Sequence, residues 1–303
     1  MNRTPADRNA VVNSSSNSLW RNGPDRARRL TLRRNFAIVV MREKTKSSRT
    51  QPVDIGTSEW KLTTHGLLDA SCTPGLPRRV QRLPFEIRVA ATARDIAELV
   101  SLRSATYGRH KAPGAHFLNV AEPQDGAPDA ILLVARSKVD GGVLGSVRIQ
   151  TRTAGPLMVE SAISLPSEIE RGRPIELMRG SVRGGAAGRT VSAALAKASF
   201  LIASELLFTH IIVTCREPVD SMYRAYMFDD LLYGGRVHLP YSPGVEHRIL
   251  SLPVAEAAER WRCKNAALYS FMVDTDHPDI QLDFDSLRTR LSEAARERAP
   301  AEA

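Results

Sequence analysis

The sequence predicts a mixed α/β (α+β) fold: a splayed central β-sheet flanked by helices and preceded by a basic, mostly disordered leader over residues 1–80. Three observations carry this. Strand-like alternation and helix-like spacing follow one another from Phe85 onward. A glycine turn at 140–142 joins two apolar runs, and a short, almost purely apolar run at 211–214 reads as a strand buried on both faces.

The 303 residues, 43% hydrophobic and 25% charged, hold ample material for a core. No stretch reaches the roughly 18 uninterrupted apolar residues of a membrane span; even the run at 193–208 carries Lys197 and Glu205. The N-terminus lacks the apolar segment of a secretory signal. Cys72, Cys215 and Cys263 are too few and too irregularly spaced for a disulfide framework or a zinc site, which fits a cytoplasmic protein. The seven histidines form no His-x-x-x-His pair, so no metal is expected. Residues 1–82 carry a net charge of +10, whereas the other 221 come to −1. The leader is rich in Ser, Asn and Arg, too polar to offset ordering entropy. It stands as a solvated tail or an over-long start with Met41 as initiator, or else as a basic arm attracting an acidic carrier protein, a membrane surface or nucleic acid.

The domain at 81–303 is expected to open with a half-buried strand, in which Phe85, Ile87 and Val89 alternate with Glu86 and Arg88. Thr92, with Asp95 three residues on, caps a helix whose inner face carries Ile96, Leu99, Val100 and Arg103. The runs 131–135 and 143–149 form an antiparallel hairpin. A strand at 175–182, a loop at 183–188 and a helix at 189–208 come next, then the strand at 211–214 and a helix at 220–231. Strands at 237–239 and 247–252 and helices at 254–261 and 285–298 complete the chain.

The loop at 183–188 is the first feature with chemical content. Gly184, Gly185 and Gly188 at a helix start present backbone N–H groups and the positive end of the helix dipole, and Arg183 and Arg189 add formal charge. This is a phosphate cradle, or simply a chain reversal. No Gly-Lys-Ser/Thr follows, which disfavours nucleotide hydrolysis.

The order strand, helix, hairpin, strand, Arg/Gly loop, helix, strand, helix resembles the GNAT (N-acetyltransferase-like) fold, whose loop holds the pyrophosphate of a pantetheine-bearing acyl donor. Arg183-x-x-Ala186-x-Gly188 is similar to that family's Arg/Gln-x-x-Gly-x-Gly/Ala, with alanine at the middle glycine. Tyr223, five residues before Phe228, is similar to a GNAT signature in which the tyrosine protonates the departing thiolate; the plainer alternative makes both core residues of an amphipathic helix. A closer resemblance is to the carrier-protein-using branch, the homoserine lactone autoinducer synthases and N-acyl amino acid synthases. It rests on Gly145-x-x-Arg148 followed by Gly155-Pro156, on Glu176-x-x-Arg179, and on Pro218, Tyr223, Phe228 and the His247 strand, over residues 85–280.

The resemblance implies amide formation from a thioester. Glu176 then accepts, through a water, the proton of an incoming ammonium group. Arg148 and Arg179 are the expected substrate-binding residues: Arg148 holds the Glu176 carboxylate or binds the acceptor's own, or else forms a purely structural ion pair. Glu176 and Arg179, three apart on a strand, should point to opposite faces and form no bridge. Backbone N–H groups at 179–182 stabilise the oxyanion. No permanent cofactor is implied; the phosphopantetheine of an acidic acyl carrier protein, or acyl-CoA, is the co-substrate, and an amino acid or other small amine is the acceptor. Peripheral membrane contact stays open, and nucleic acid is not favoured. The autoinducer synthases place a Trp and several acidic residues after the first helix to hold a sulfonium substrate. Here the stretch 108–117, with His110, Lys111 and His116, is basic and suits an anionic acceptor or an acidic carrier. A non-catalytic GNAT-like module tethered by its basic arm to membrane or nucleic acid, and an acetyl-CoA-dependent N-acetyltransferase, are the rival readings.

Overall fold

The computed structural model describes residues 78–109, 118–185 and 187–298. The expectations for residues 1–77, including Cys72, for His110, Lys111 and His116, and for Ala186 lie outside these.

β1 (Arg79–Val80) precedes β2 (Phe85–Val89), in which Phe85 and Ile87 are buried as the alternation predicts. α1 (Ala93–Arg109) starts at the expected cap: Asp95 N donates to Thr92 Oγ1 and Thr92 N donates to Asp95 Oδ2, each at 3.1 Å. Asp95 also receives Arg88 and Arg136. One buried carboxylate therefore fastens the start of α1 to β2 and to β3 (Ala130–Ser137), and Arg88 above all holds it far below the usual carboxylate range. β3 turns through Gly141, at φ 69°, into β4 (Val143–Thr151).

A short α2 (Ser167–Glu170) leads to β5 (Pro174–Val182), α3 (Ala187–Glu205) and β6 (His210–Cys215). α4 (Val219–Ala225) is much shorter than the helix expected at 220–231. It stops because Met227 takes up φ 66°, a turn that lets the chain re-enter the sheet as β7 (Asp229–Asp230). Phe228 therefore lies past the helix that holds Tyr223. β8 (Val237–Leu239) and β9 (Ser242–Pro253) form a hairpin, and β9 absorbs the strand expected at 247–252. α5 (Val254–Lys264), α6 (Ala266–Tyr269), β10 (Thr275–Asp276) and α7 (Phe284–Arg298) follow; β10 pairs with β1.

The main sheet runs β2-β3-β4-β5-β6-β9-β7, with β8 paired to β9. It is antiparallel except at β5-β6. This is the mixed central sheet that the order of elements implied. α3 covers one face, where Val191, Leu195 and Ile202 pack on Ile131, Leu133, Ile149, Ile175 and Val213. Gly145 on β4 permits the close approach: a Cβ there would lie 2.5 Å from Val191 Cγ1. On the opposite face, Leu99 and Leu102 of α1 cover Leu132 and Val134, and residues 157–169 cover Ile212 and Ile249.

Candidate active site

Two irregularities in β5 shape the site. The parallel ladder to β6 ends at Leu177↔Val213, while β5 stays paired to β4 as far as Gly145↔Val182 and β6 stays paired to β9 as far as Cys215↔Arg248. The strands therefore part beyond Leu177. In the same stretch the register with β4 passes from Arg148↔Met178 to Ser146↔Ser181, so β5 carries one extra residue, a β-bulge with Arg179 at φ 54°.

The bulge overturns one expectation. Arg179 does not point away from Glu176; the extra residue swings it to the α1 face, where it lines a small cavity with Arg148 and lies with its guanidinium carbon 6.0 Å from the ring centroid of Tyr241, itself a Glu176 partner. As expected, the two do not bridge: Arg179 gives both oxygens of Glu122 a bond, at 2.8 and 2.6 Å.

Glu176 lies opposite Gln150, one residue before the point where β5 leaves β6, and is fully buried. Oε2 accepts the Val159 N–H at 3.0 Å and Oε1 the Tyr241 hydroxyl at 3.4 Å. Burial outweighs these bonds and the nearby Arg148 charge, and raises its pKa from the ordinary 4.5 to about 7.

Arg148 does not form the expected pair with Glu176. Its Nη1 donates to Glu122 at 3.0 Å and to Asp125 at 2.9 Å, while Nη2 faces only the sulfurs of Met158 and Met178. Arg103 completes the cluster with two bonds to Asp125 and one to Glu122. Three guanidinium groups thus surround two carboxylates, for a net charge of +1. Burial works to raise Glu122 and Asp125, but Arg179 for the first and Arg103 for the second hold both below their ordinary values. Arg148 is 1% exposed and the adjoining cavity measures about 10 Å³, room for no more than a water. An acceptor carboxylate has no space on Arg148 in this conformation.

The glycine loop is open to solvent. Arg183, Gly184, Gly185 and Arg189 are exposed, and Gly185 takes φ 113°. Gly188 sits at the start of α3, where a Cβ would come within 3.0 Å of the Arg183 carbonyl. Arg109, at the end of α1, donates to the Val182 carbonyl at 3.2 Å beside the loop. A cleft of about 530 Å³ lined by Arg94, Glu98, Arg109, Asp140 and Arg183 adjoins it.

Tyr223 lies on the other side of the opening. It packs on Phe228, ring centroids 5.2 Å apart, within the α3-side core, and desolvation pushes its phenol well above the ordinary value. The opening thus has Glu176 on one face of the sheet and Tyr223 on the other.

No family model and no curated protein matches the chain. Among solved structures it is similar to FeeM, an N-acyl amino acid synthase from uncultured soil microbes, at 13% identity over 58% of this chain and 93% of that one, with a TM-score of 0.47. It is similar to an acyl-CoA N-acyltransferase from Pseudomonas aeruginosa at 16% identity over 55% and 97% (TM-score 0.40), and to the AHL synthase LasI at 15% identity over 56% and 90% (TM-score 0.38).

Sequence reading missed Arg103, Glu122, Asp125 and Tyr241. Arg103 had a visible signal, a charge on an otherwise apolar helical stripe. Glu122 and Asp125 are one turn apart around Pro123, and Glu122 N donates to Asp125 Oδ2 at 2.9 Å. Acidic residues therefore do follow the first helix, just past the basic stretch at 108–117. Tyr241 had no local signal, since only the β8-β9 hairpin brings it to Glu176. Among the described residues no group of side chains could hold a metal ion, and no helix is long and apolar enough to cross a membrane.

Proposed function

We propose that the chain is an N-acyltransferase that moves an acyl group from a pantetheine thioester, carried by coenzyme A or an acidic acyl carrier protein, to the amine of an amino acid or a related small molecule. One observation carries the reading: a fully buried carboxyl, Glu176, set one residue before β5 and β6 part, where burial raises its pKa toward neutrality. A base poised near the working pH is what removal of an ammonium proton requires.

In this reading the pantetheine arm lies between the parted strands and its phosphates meet Gly184, Gly185 and Gly188 at the start of α3, with Arg183 and Arg189 alongside. Glu176 takes a proton from the ammonium group, directly or through a water, and leaves a free amine. The nitrogen attacks the thioester carbonyl. N–H groups of β5 beyond the bulge stabilise the oxyanion, the C–S bond breaks, Tyr223 protonates the thiolate, and the proton shed by the attacking nitrogen passes through solvent to restore the Tyr223 phenol, leaving a neutral amide and a free thiol. Arg148 and Arg179 make this wall positive, and the +1 excess of the five-residue cluster favours an acceptor that carries a carboxylate.

The test supplies purified protein with thioesters from acetyl to palmitoyl, on coenzyme A and on acyl carrier protein, and with a pool of amino acids. Thiol release and amide mass are read together. The expected result is one amide series, reduced on the order of 10²- to 10⁴-fold in Glu176→Gln. Transfer of acetyl alone would assign an N-acetyltransferase, and absence of thiol release with every donor would reject the reading.

A further inference from the structure

Tyr241 is absorbed by neither the expected motifs nor the reaction above, yet it stands at the point where the sheet opens. The β8-β9 hairpin closes through a two-residue turn, Pro240 and Tyr241, between the paired Leu239 and Ser242. From that turn the half-buried phenol donates to the Glu176 carboxyl on β5 at 3.4 Å and lies beside the Thr214 side chain on β6. Glu176 pairs with Ile212, the last rung is Leu177↔Val213, and Thr214 is the next residue of β6. The phenol therefore bridges the two strands immediately where they part. The Arg179 guanidinium lies against its ring.

We infer that Tyr241 is a positioning residue: its hydroxyl fixes the free oxygen of the Glu176 carboxyl toward the opening, and its ring shields that carboxyl from water on the α1 side. The inference rests on the proposed role of Glu176. Oε2 is already held by the Val159 N–H, so Tyr241 is what orients Oε1. The charged and titratable groups facing this point are Arg148 from β4, Arg179 from β5, Tyr241 from the β8-β9 turn and His247 from β9. Arg148 is committed to Glu122 and Asp125, Arg179 to Glu122, and the His247 ring to the Val245 carbonyl. The phenol is the one side chain among them bonded to Glu176.

Because Tyr241 donates to the carboxyl, it favours the ionised form; Tyr241→Phe keeps the ring and removes the donor. The test is a ¹³C NMR pH titration of the side-chain carboxyl carbons in protein labelled at Glu, with Glu176→Gln assigning the signal. Wild type is expected to titrate near 7, and Tyr241→Phe at a higher pH with an unchanged melting temperature profile otherwise. In the acyl-transfer assay the acid limb of kcat/KM should move up with it, with kcat falling about tenfold and KM for the thioester unchanged. Tyr241→Leu, which also removes the shield, is expected to return the Glu176 midpoint toward 4.5. A Glu176 midpoint unmoved in Tyr241→Phe would overturn the inference while leaving the acyl-transfer reading intact. A shifted midpoint in a protein without transferase activity would uphold the contact and sink the reaction.

Discussion

Glu176→Gln should make the protein more stable at alkaline pH and leave it unchanged in mild acid. The carboxyl is fully buried, and its pKa is raised from 4.5 to about 7. A raised acid favours its protonated form in the fold. The stability associated with that form is complete below pH 4.5 and is lost as pH climbs to about 7. The difference of 2.5 pH units corresponds to about 3 kcal/mol. Glutamine mimics the neutral carboxyl: its oxygen accepts the Val159 N–H and its amide faces the Tyr241 oxygen. Urea unfolding of both proteins at pH 4.5 and pH 8 gives the comparison, with the substitution difference isolating this one group from all others that titrate. The expected gain for Glu176→Gln is near zero at pH 4.5 and about 2–3 kcal/mol at pH 8. A difference that does not change with pH would show that Glu176 ionises normally, and the argument for a base tuned by burial would fall.

Other consequences are separable by site. Glu122→Ala leaves Arg179 without a carboxylate partner and Arg148 and Arg103 with Asp125 alone, and should cost about 3–5 kcal/mol in denaturant unfolding, whereas Arg94→Ala, at an exposed surface pair, should cost no more than about 0.5 kcal/mol. Lys197 on α3 is buried and donates to the Phe271 and Thr275 carbonyls and to His277. Lys197→Met leaves these acceptors bare, with an expected loss of about 2–4 kcal/mol and early amide exchange in residues 270–277. Gly145→Ala drives a methyl into Val191 and Leu195 and should lower stability by about 1–3 kcal/mol by thermal melting, while Gly155→Ala, where a Cβ meets only open space, stays near wild type.

Most of the fold was legible because its elements are local. The Thr92 and Asp95 cap, the 140–142 turn and the apolar 211–214 strand each announce themselves within a few residues, and α1, the hairpin and β6 lie where those signals put them. The helix at 220–231 was over-extended because apolar spacing continues through Phe228 and Leu231. What ends it is the pairing of Asp229 and Asp230 with β9, a contact made some 20 residues later in the chain. The site was legible in part. Glu176, Arg148 and Arg179 converge on one region, but their partners were not foreseen: period-two counting places Arg179 on the wrong face because it cannot see the bulge. The carboxylates that bind the arginines come from a turn beyond α1. Tyr241 depends on a hairpin that folds back across the sheet, and no spacing within the sequence encodes that approach.

The claim beneath the whole account is that the gap between β5 and β6 receives a thioester-bearing arm. A crystal structure with a non-reactive acyl-pantetheine analogue tests it directly. The arm should thread between the two strands past Leu177, with its phosphate against Gly184 to Gly188 and its carbonyl facing Glu176. An analogue that binds elsewhere, with the gap closed by side chains, would contradict it.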